Sequence, residues 1–167
     1  SVVDKIVMKD LKRYFNVRDL NADKRLFDLC CNESGTFFEV SNVAREVGMS
    51  EKTVRAHLEI FHKCCLVDSI TKYDSKLRRI IKSSKKIYVS SPSIVAAVRG
   101  NAEVQDTAFL GQLAETYAYQ RLRTYDKEVY VDRGKNSREI DFFLPDGSLM
   151  SSGLLLECKY SRHYRTR

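Results

Sequence analysis

Two short segments near the end of the sequence carry the residues best suited to chemistry. REIDFFL (138–144) alternates, so Ile140, Phe142 and Leu144 share one face of a strand and Glu139, Asp141 and Phe143 share the other. PDG (145–147) is a turn signal. LLLECKY (154–160) then returns, with Leu154, Leu156 and Cys158 on one face and Leu155, Glu157 and Lys159 on the other. Antiparallel pairing about residue 149 sets Asp141 opposite Glu157, and Glu139 opposite Lys159. Like charges directly opposite each other destabilise a sheet, so this register calls for a compensating cation. Asp141, Glu157 and the carbonyl of Cys158 offer hard oxygen ligands for Mg²⁺ or Mn²⁺. Such a metal polarises a phosphodiester and lowers the pKa of a bound water. Lys159 would orient that water or stabilise developing charge, and Glu115 would complete the acidic cluster. The bland alternative is an exposed Glu–Lys pair on a sheet face, worth little.

Glu115 must come from a helix. AFLGQLAETYAYQRLRTY, from Ala108, has an apolar side made of Phe109, Leu110, Leu113, Ala114, Tyr117, Ala118 and Leu122, with Glu115 at its margin near Gly111 and Tyr119. A strand, EVYVDR (128–133), follows.

Upstream, the periodicity predicts helices over 4–15 and from about Asn21 to Cys31, the second with Leu26, Phe27, Leu29 and Cys30 inward and ended by NESG. The stretch 40–67 reads as two helices about a turn. Ser41 is the candidate cap of a short helix to Val47, Gly48 suits the left-handed turn, and Ser50 caps a longer helix to about Cys64. Ala44 is small where the helices cross, and Val54 packs back between them. That is a helix-turn-helix pattern. VDSITKY (67–73) and KKIYVSS (85–91) alternate like strands, which makes the pattern a winged helix. The basic segment between and overlapping them places Lys76, Arg78, Arg79, Lys82, Lys85 and Lys86 on the wing, in reach of phosphates. Lys52, Thr53 and Arg55, with Ala56 and Glu59, lie on the outer face of the second helix and could face a groove. The acids Glu51 and Glu59 temper that helix, and winged helices also serve as protein-binding modules. Pro92 and Gly100 bracket a further short helix, and the polar stretch that follows marks a domain boundary.

Composition is consistent with this organisation. With 43% hydrophobic and 31% charged residues the chain should fold. Its net charge of +7 favours anionic partners, DNA above all. No apolar run approaches the roughly 18 to 20 residues of a membrane span, and no signal peptide is visible. Cys30, Cys31, Cys64, Cys65 and Cys158 form no CxxC and are not spaced against His57, His62 and His163 as zinc ligands are; small buried thiols in a reducing cytoplasm are expected.

Asp141 followed by Glu157-Cys158-Lys159, on strands after a helix carrying Glu115, resembles the PD-(D/E)XK nuclease superfamily, with Ile140 where the motif has proline. The order of GTFFEVSNVAREVGMSEKTVRAHLEIF, KSSKKIYV, FLGQLAETYAYQRL and SREIDFFL is similar to the C-terminal region of a family of archaeal and bacterial AAA-type ATPases. That resemblance implies an α/β (α+β) protein: a helical lead-in (1–20), a winged helix-turn-helix (21–100) and a partial nuclease-like αβββ unit (101–167), incomplete at its C-terminus. It also implies an upstream ATPase. No GxxxxGK[ST] occurs here, so ATP would bind only through that missing domain, and the Ser1 start fits a fragment. The expectation is DNA binding with Mg²⁺-dependent hydrolysis. The alternatives are a non-catalytic module coupling an ATPase to DNA, to protein or to a second copy of the chain as a homo-oligomer, and a winged-helix transcription regulator.

Overall fold

The computed structural model describes residues 19–73, 85–100, 106–125, 128–133, 139–146 and 153–160. The helix expected over 4–15 lies outside these residues.

The chain is an α+β fold. Helix α1 (Leu20–Asn32) starts where Asp19 accepts the backbone N–H groups of Asn21 and Ala22, satisfying two of the donors that every helix start leaves open. It buries Leu26, Phe27 and Cys30 as its spacing predicts. It also buries Asp23, which the hydrophobic pattern does not foresee. A short strand β1 (Phe37–Phe38), not expected from the sequence, precedes helix α2 (Val40–Val47). The cap position of α2 is Glu39 rather than Ser41, and no side chain caps it. Gly48 adopts the left-handed conformation (φ 73°), and Ser50 accepts the N–H of Thr53 to start helix α3 (Glu51–Lys63). Ala44 and Val54 are buried between these helices, as the small and apolar positions require.

Strands β2 (Val67–Thr71) and β3 (Lys85–Val89) pair antiparallel, and β1 joins the other side of β3, so the first sheet runs β1-β3-β2. As the central strand, β3 is covered on both faces: four of its five residues are buried. Helix α4 (Pro92–Arg99) leads to helix α5 (Thr107–Leu122). On α5 the buried residues are Phe109, Thr116 and Tyr119, whereas Tyr117, expected inward, is exposed. Strands β4 (Tyr130–Arg133), β5 (Glu139–Pro145) and β6 (Gly153–Leu156) form a second antiparallel sheet in chain order. Phe142 pairs with Leu156 and Leu144 with Leu154, the register expected from a turn centred on residue 149. The ladder stops at Leu156, however, so Glu157 to Lys159 are not strand residues.

Two cores hold these layers. One joins Leu26, Phe27, Val54, Phe61, Ile87, Val89 and Val95 with Phe109 of α5. The other joins Ile70 and Tyr88 of the first sheet with Tyr119, Val131, Phe142 and Leu144. Tyr88 stacks on Tyr119 with ring centroids 4.3 Å apart. Residues on both sides of the expected boundary near 101 therefore share both cores. The backbone also connects the two sheets: Tyr73 donates its N–H to the Val131 carbonyl at 2.8 Å. Among the described residues, no helix is long and apolar enough to cross a membrane. The five cysteines are free; Cys30 and Cys31 are buried, Cys64 and Cys158 are half-buried, and Cys65 is exposed.

Candidate functional site

The alternation of β3 sends Ile87 and Val89 into the first core and Lys86 and Tyr88 to the opposite face, where α5 and β5 lie. Lys86 is only 3% exposed. Its Nζ lies 2.7 Å from Glu115 Oε1, 2.9 Å from Glu139 Oε1 and 3.8 Å from Asp141 Oδ1. Tyr88 donates its hydroxyl to the same Glu115 oxygen at 2.7 Å. Three carboxylates from one helix and one strand thus converge on one ammonium from another sheet.

The helix is held at the depth this requires. Gln112 donates to the carbonyls of Asn32 and Ser34, and the hydroxyls of Ser34 and Thr116 lie 3.0 Å apart. Gly35, at φ 85°, passes close beneath the Glu115 carboxyl: a Cβ there would sit 3.4 Å from it, in a backbone conformation that disfavours side chains. On the other side, Asp141 Oδ2 accepts the N–H of Cys158 at 2.7 Å, which ties the chain after β6 to β5 where the ladder has ended. A cleft of about 400 Å³ opens beside the cluster, lined by Glu115, Asp141, Cys158, Arg99 and Gln112 among others.

The charge of the cluster explains its proton affinities. Burial pushes the Glu115 carboxyl above its ordinary range; the Lys86 ammonium and the Tyr88 hydroxyl offset this only partly, and Asp141 adds to it. Burial pulls the Lys86 ammonium down, but Glu115 and Glu139 outweigh it and hold the pKa above the ordinary lysine value. Both shifts have one cause beyond burial: three carboxylates share one cation, so the cluster holds its protons tightly. Tyr88 is pushed far up by burial and by Glu115. The Cys158 thiol is raised by burial and then by Glu115 and Asp141, so it is no activated nucleophile.

The expected metal set does not form. Asp141 and Glu115 enter the cluster, but Glu157 lies 3.2 Å from Lys159 in a surface pair, 39% and 66% exposed. The position among the carboxylates is filled by an ammonium, and Cys158 contributes its amide to Asp141. Among the described residues no group of three His, Cys, Asp or Glu is arranged to hold a metal ion. The residues therefore do not fit Mg²⁺ or Mn²⁺ in this arrangement.

Of the cations expected on the wing, Lys86 is a correction: it faces the carboxylates, not solvent, because β3 is the central strand of its sheet. Lys85 is exposed at the start of β3. Lys76, Arg78, Arg79 and Lys82 lie outside the described residues. Lys52, Thr53 and Arg55 are exposed on α3, where Arg55 pairs with Glu51 at 3.4 Å and Thr53 takes part in the Ser50 cap. The cluster members that sequence reasoning did not place there are Lys86 and Tyr88, and Glu139, set on the Asp141 face, meets Lys86 instead of Lys159. One signal pointed to the first two: in KKIYV, Lys86 and Tyr88 share a face while Ile87 and Val89 take the other, so a central strand must cover a lysine.

The profile of one family, described as a domain of unknown function (DUF8612), matches residues 1–105. Comparison with curated proteins and with solved structures gives no match.

Proposed function

We propose that this chain, which belongs to the DUF8612 family, is a DNA-binding unit: a winged helix-turn-helix joined to a nuclease-like sheet, serving as the C-terminal region of an ATPase. In this reading the Lys86 cluster is an ionic lock between the two units, not an open hydrolytic centre. The observation that carries the DNA reading is the presentation of α3. The left-handed Gly48 and the Ser50 cap set its first turns, Val54 and Phe61 bury one side, and Lys52, Thr53 and Arg55 stand on the exposed side. The element order, with β1-β3-β2 behind the helices, supports the winged-helix assignment. The net charge of +7 supplies the attraction to phosphate.

The test is duplex DNA binding by fluorescence anisotropy across a salt series. Lys52→Ala with Arg55→Ala should weaken binding and flatten the salt slope by roughly 0.9 for each phosphate that is no longer neutralised. Affinity that ignores both salt and this double variant refutes the reading. The second reading is hydrolysis, which requires a metal ion to displace the Lys86 ammonium from the point on which Glu115, Glu139 and Asp141 converge. Calorimetric Mn²⁺ titration of the wild type and of Asp141→Asn decides between them. Saturable binding abolished by the substitution supports the hydrolytic reading, and no binding supports the lock.

A further inference from the structure

A second cleft, of about 640 Å³, lies towards the C-terminal end of α5, where that helix meets β2 and β4. It differs in chemistry from the acid cluster. Its floor is the buried pair Ile70 and Tyr119. Its walls carry two more tyrosines. Tyr125 is 62% exposed, and no described ring stacks on it. Tyr130 donates its hydroxyl to Glu128 at 2.6 Å. Two cations stand at the cleft, Lys85 and Arg123. One guanidinium nitrogen of Arg123 binds Asp68 at 2.6 Å, which fixes the direction of a group that has five N–H donors. Lys85 ends the basic segment that joins β2 to β3.

An exposed flat ring beside a carboxylate and two cations matches the face of a base, its N–H edge and a phosphate. Bases stack on aromatic side chains, and cations follow the backbone phosphates. A carboxylate only accepts hydrogen bonds, so Glu128 suits the N–H groups on a base edge. A base inside a duplex cannot reach a cleft with such walls, so the nucleotide must be unpaired. The volume falls within the range of roughly 300 to 1,000 Å³ typical of ligand sites.

We propose that this cleft takes an unpaired nucleotide of a nucleic-acid strand, its base against Tyr125 and Tyr130 and its phosphate at Lys85 and Arg123. The proposal rests on the DNA-binding reading and extends it from duplex DNA to DNA with a single-stranded end. It is tested by anisotropy with a blunt duplex, the same duplex carrying a short unpaired DNA overhang, and the same duplex with an RNA overhang, on the wild type, Tyr125→Ala and Tyr125→Phe.

The wild type should bind an overhang duplex at least about fivefold more tightly than the blunt one, the lower end of what base–aromatic stacking contributes. Tyr125→Ala should lose that preference and leave blunt-duplex affinity unchanged. Tyr125→Phe keeps the ring and should keep the preference, which a structural role for the hydroxyl would not predict. Equal response to the two overhangs assigns recognition to base and phosphate, and preference for RNA adds the 2′-hydroxyl; both support the cleft. Blunt-duplex binding with no overhang preference, or a preference that survives Tyr125→Ala, overturns the cleft and leaves the DNA-binding reading standing. Loss of blunt binding together with an overhang affinity that Tyr125→Ala abolishes overturns the α3 reading and leaves the cleft standing.

Discussion

Replacing Lys86 with methionine keeps an unbranched apolar stem one atom shorter and removes the charge. Three carboxylates then face one another with no cation among them. Removing one partner of a buried ion pair costs about 3 to 5 kcal/mol, because the other charge is left uncompensated. Glu139 is 35% exposed, so solvent screens its share to under about 1 kcal/mol. Most of the loss should therefore run through Glu115, at 2.7 Å and only 18% exposed. The expected loss is about 3 kcal/mol, the low end of the range for a buried pair. At about 2 to 4 °C per kcal/mol for a chain of this size, Tm should fall by roughly 6 to 12 °C.

Urea denaturation followed by circular dichroism, in a cycle with Glu115→Gln, isolates the pair. In the Glu115→Gln background the cost of Lys86→Met should shrink by about 1 to 3 kcal/mol. The pH dependence gives an independent check. Lys86 has a raised pKa, so its contribution is full below the ordinary lysine value and is lost as pH rises through the folded one. Glu115 is also raised, so its proton favours the fold below the ordinary glutamate value, and that contribution is lost as pH rises through its folded pKa. The wild type should gain from mild acidification and weaken in strong alkali. Lys86→Met should lose the share of the alkaline weakening that Lys86 contributes and gain more from acid. A loss under about 1 kcal/mol, or an equal loss in both backgrounds, would show that the cluster is not a lock.

Two further predictions concern the parts around it. Gly153→Ala places a Cβ 2.3 Å from the Leu144 carbonyl oxygen and 2.6 Å from the Phe143 ring, so β6 must leave β5. Amide exchange at 154–156 should accelerate while α1 and α3 keep their protection, at a cost of about 1 to 3 kcal/mol typical of forced overpacking. His57 on α3 meets the fully buried Asp23 of α1, whose Oδ2 has no partner among the described residues. His57→Ala should cost about 3 kcal/mol near neutrality by leaving that carboxylate unpaired. Burial already raises Asp23, so protonation relieves the penalty, and the Tm gap to the wild type should narrow as pH falls.

Much of the local structure was legible before any folding in three dimensions. Gly48 at a left-handed position, Ser50 before an amphipathic run and the alternation of 67–71, 85–89 and 139–145 are properties of neighbouring residues, and each produced the element expected. The β5–β6 register followed in the same way, because the turn signal PDG and a period of two leave few pairings. The two-residue strand β1 was missed because it has too few residues to show a period; it is a strand only because β3 offers its edge. Tyr117 and Tyr119 exchanged places for a related reason. Both lie near the apolar side of α5, and the choice fell to the ring of Tyr88 on another strand.

The candidate site divides along the same line. Local pattern put acids on β5 and at the margin of α5, but alternation alone sets Glu139 and Asp141 on the face opposite Phe142; the shift in the β4–β5 register at Asp141–Phe142 brings Asp141 and Phe142 to the same side. Asp141 and Glu115 are there. Which cation meets them depended on long-range packing. Lys159 is two residues from Glu157 and stays with it at the surface, while Lys86, remote in sequence, arrives because β3 lies in the centre of its sheet and must bury whatever its inner face carries. An ammonium in a desolvated position cannot remain without carboxylates, and carboxylates in such a position cannot remain without a cation. Periodicity along the chain encodes neither half of that requirement; it is met only when two sheets and a helix pack together.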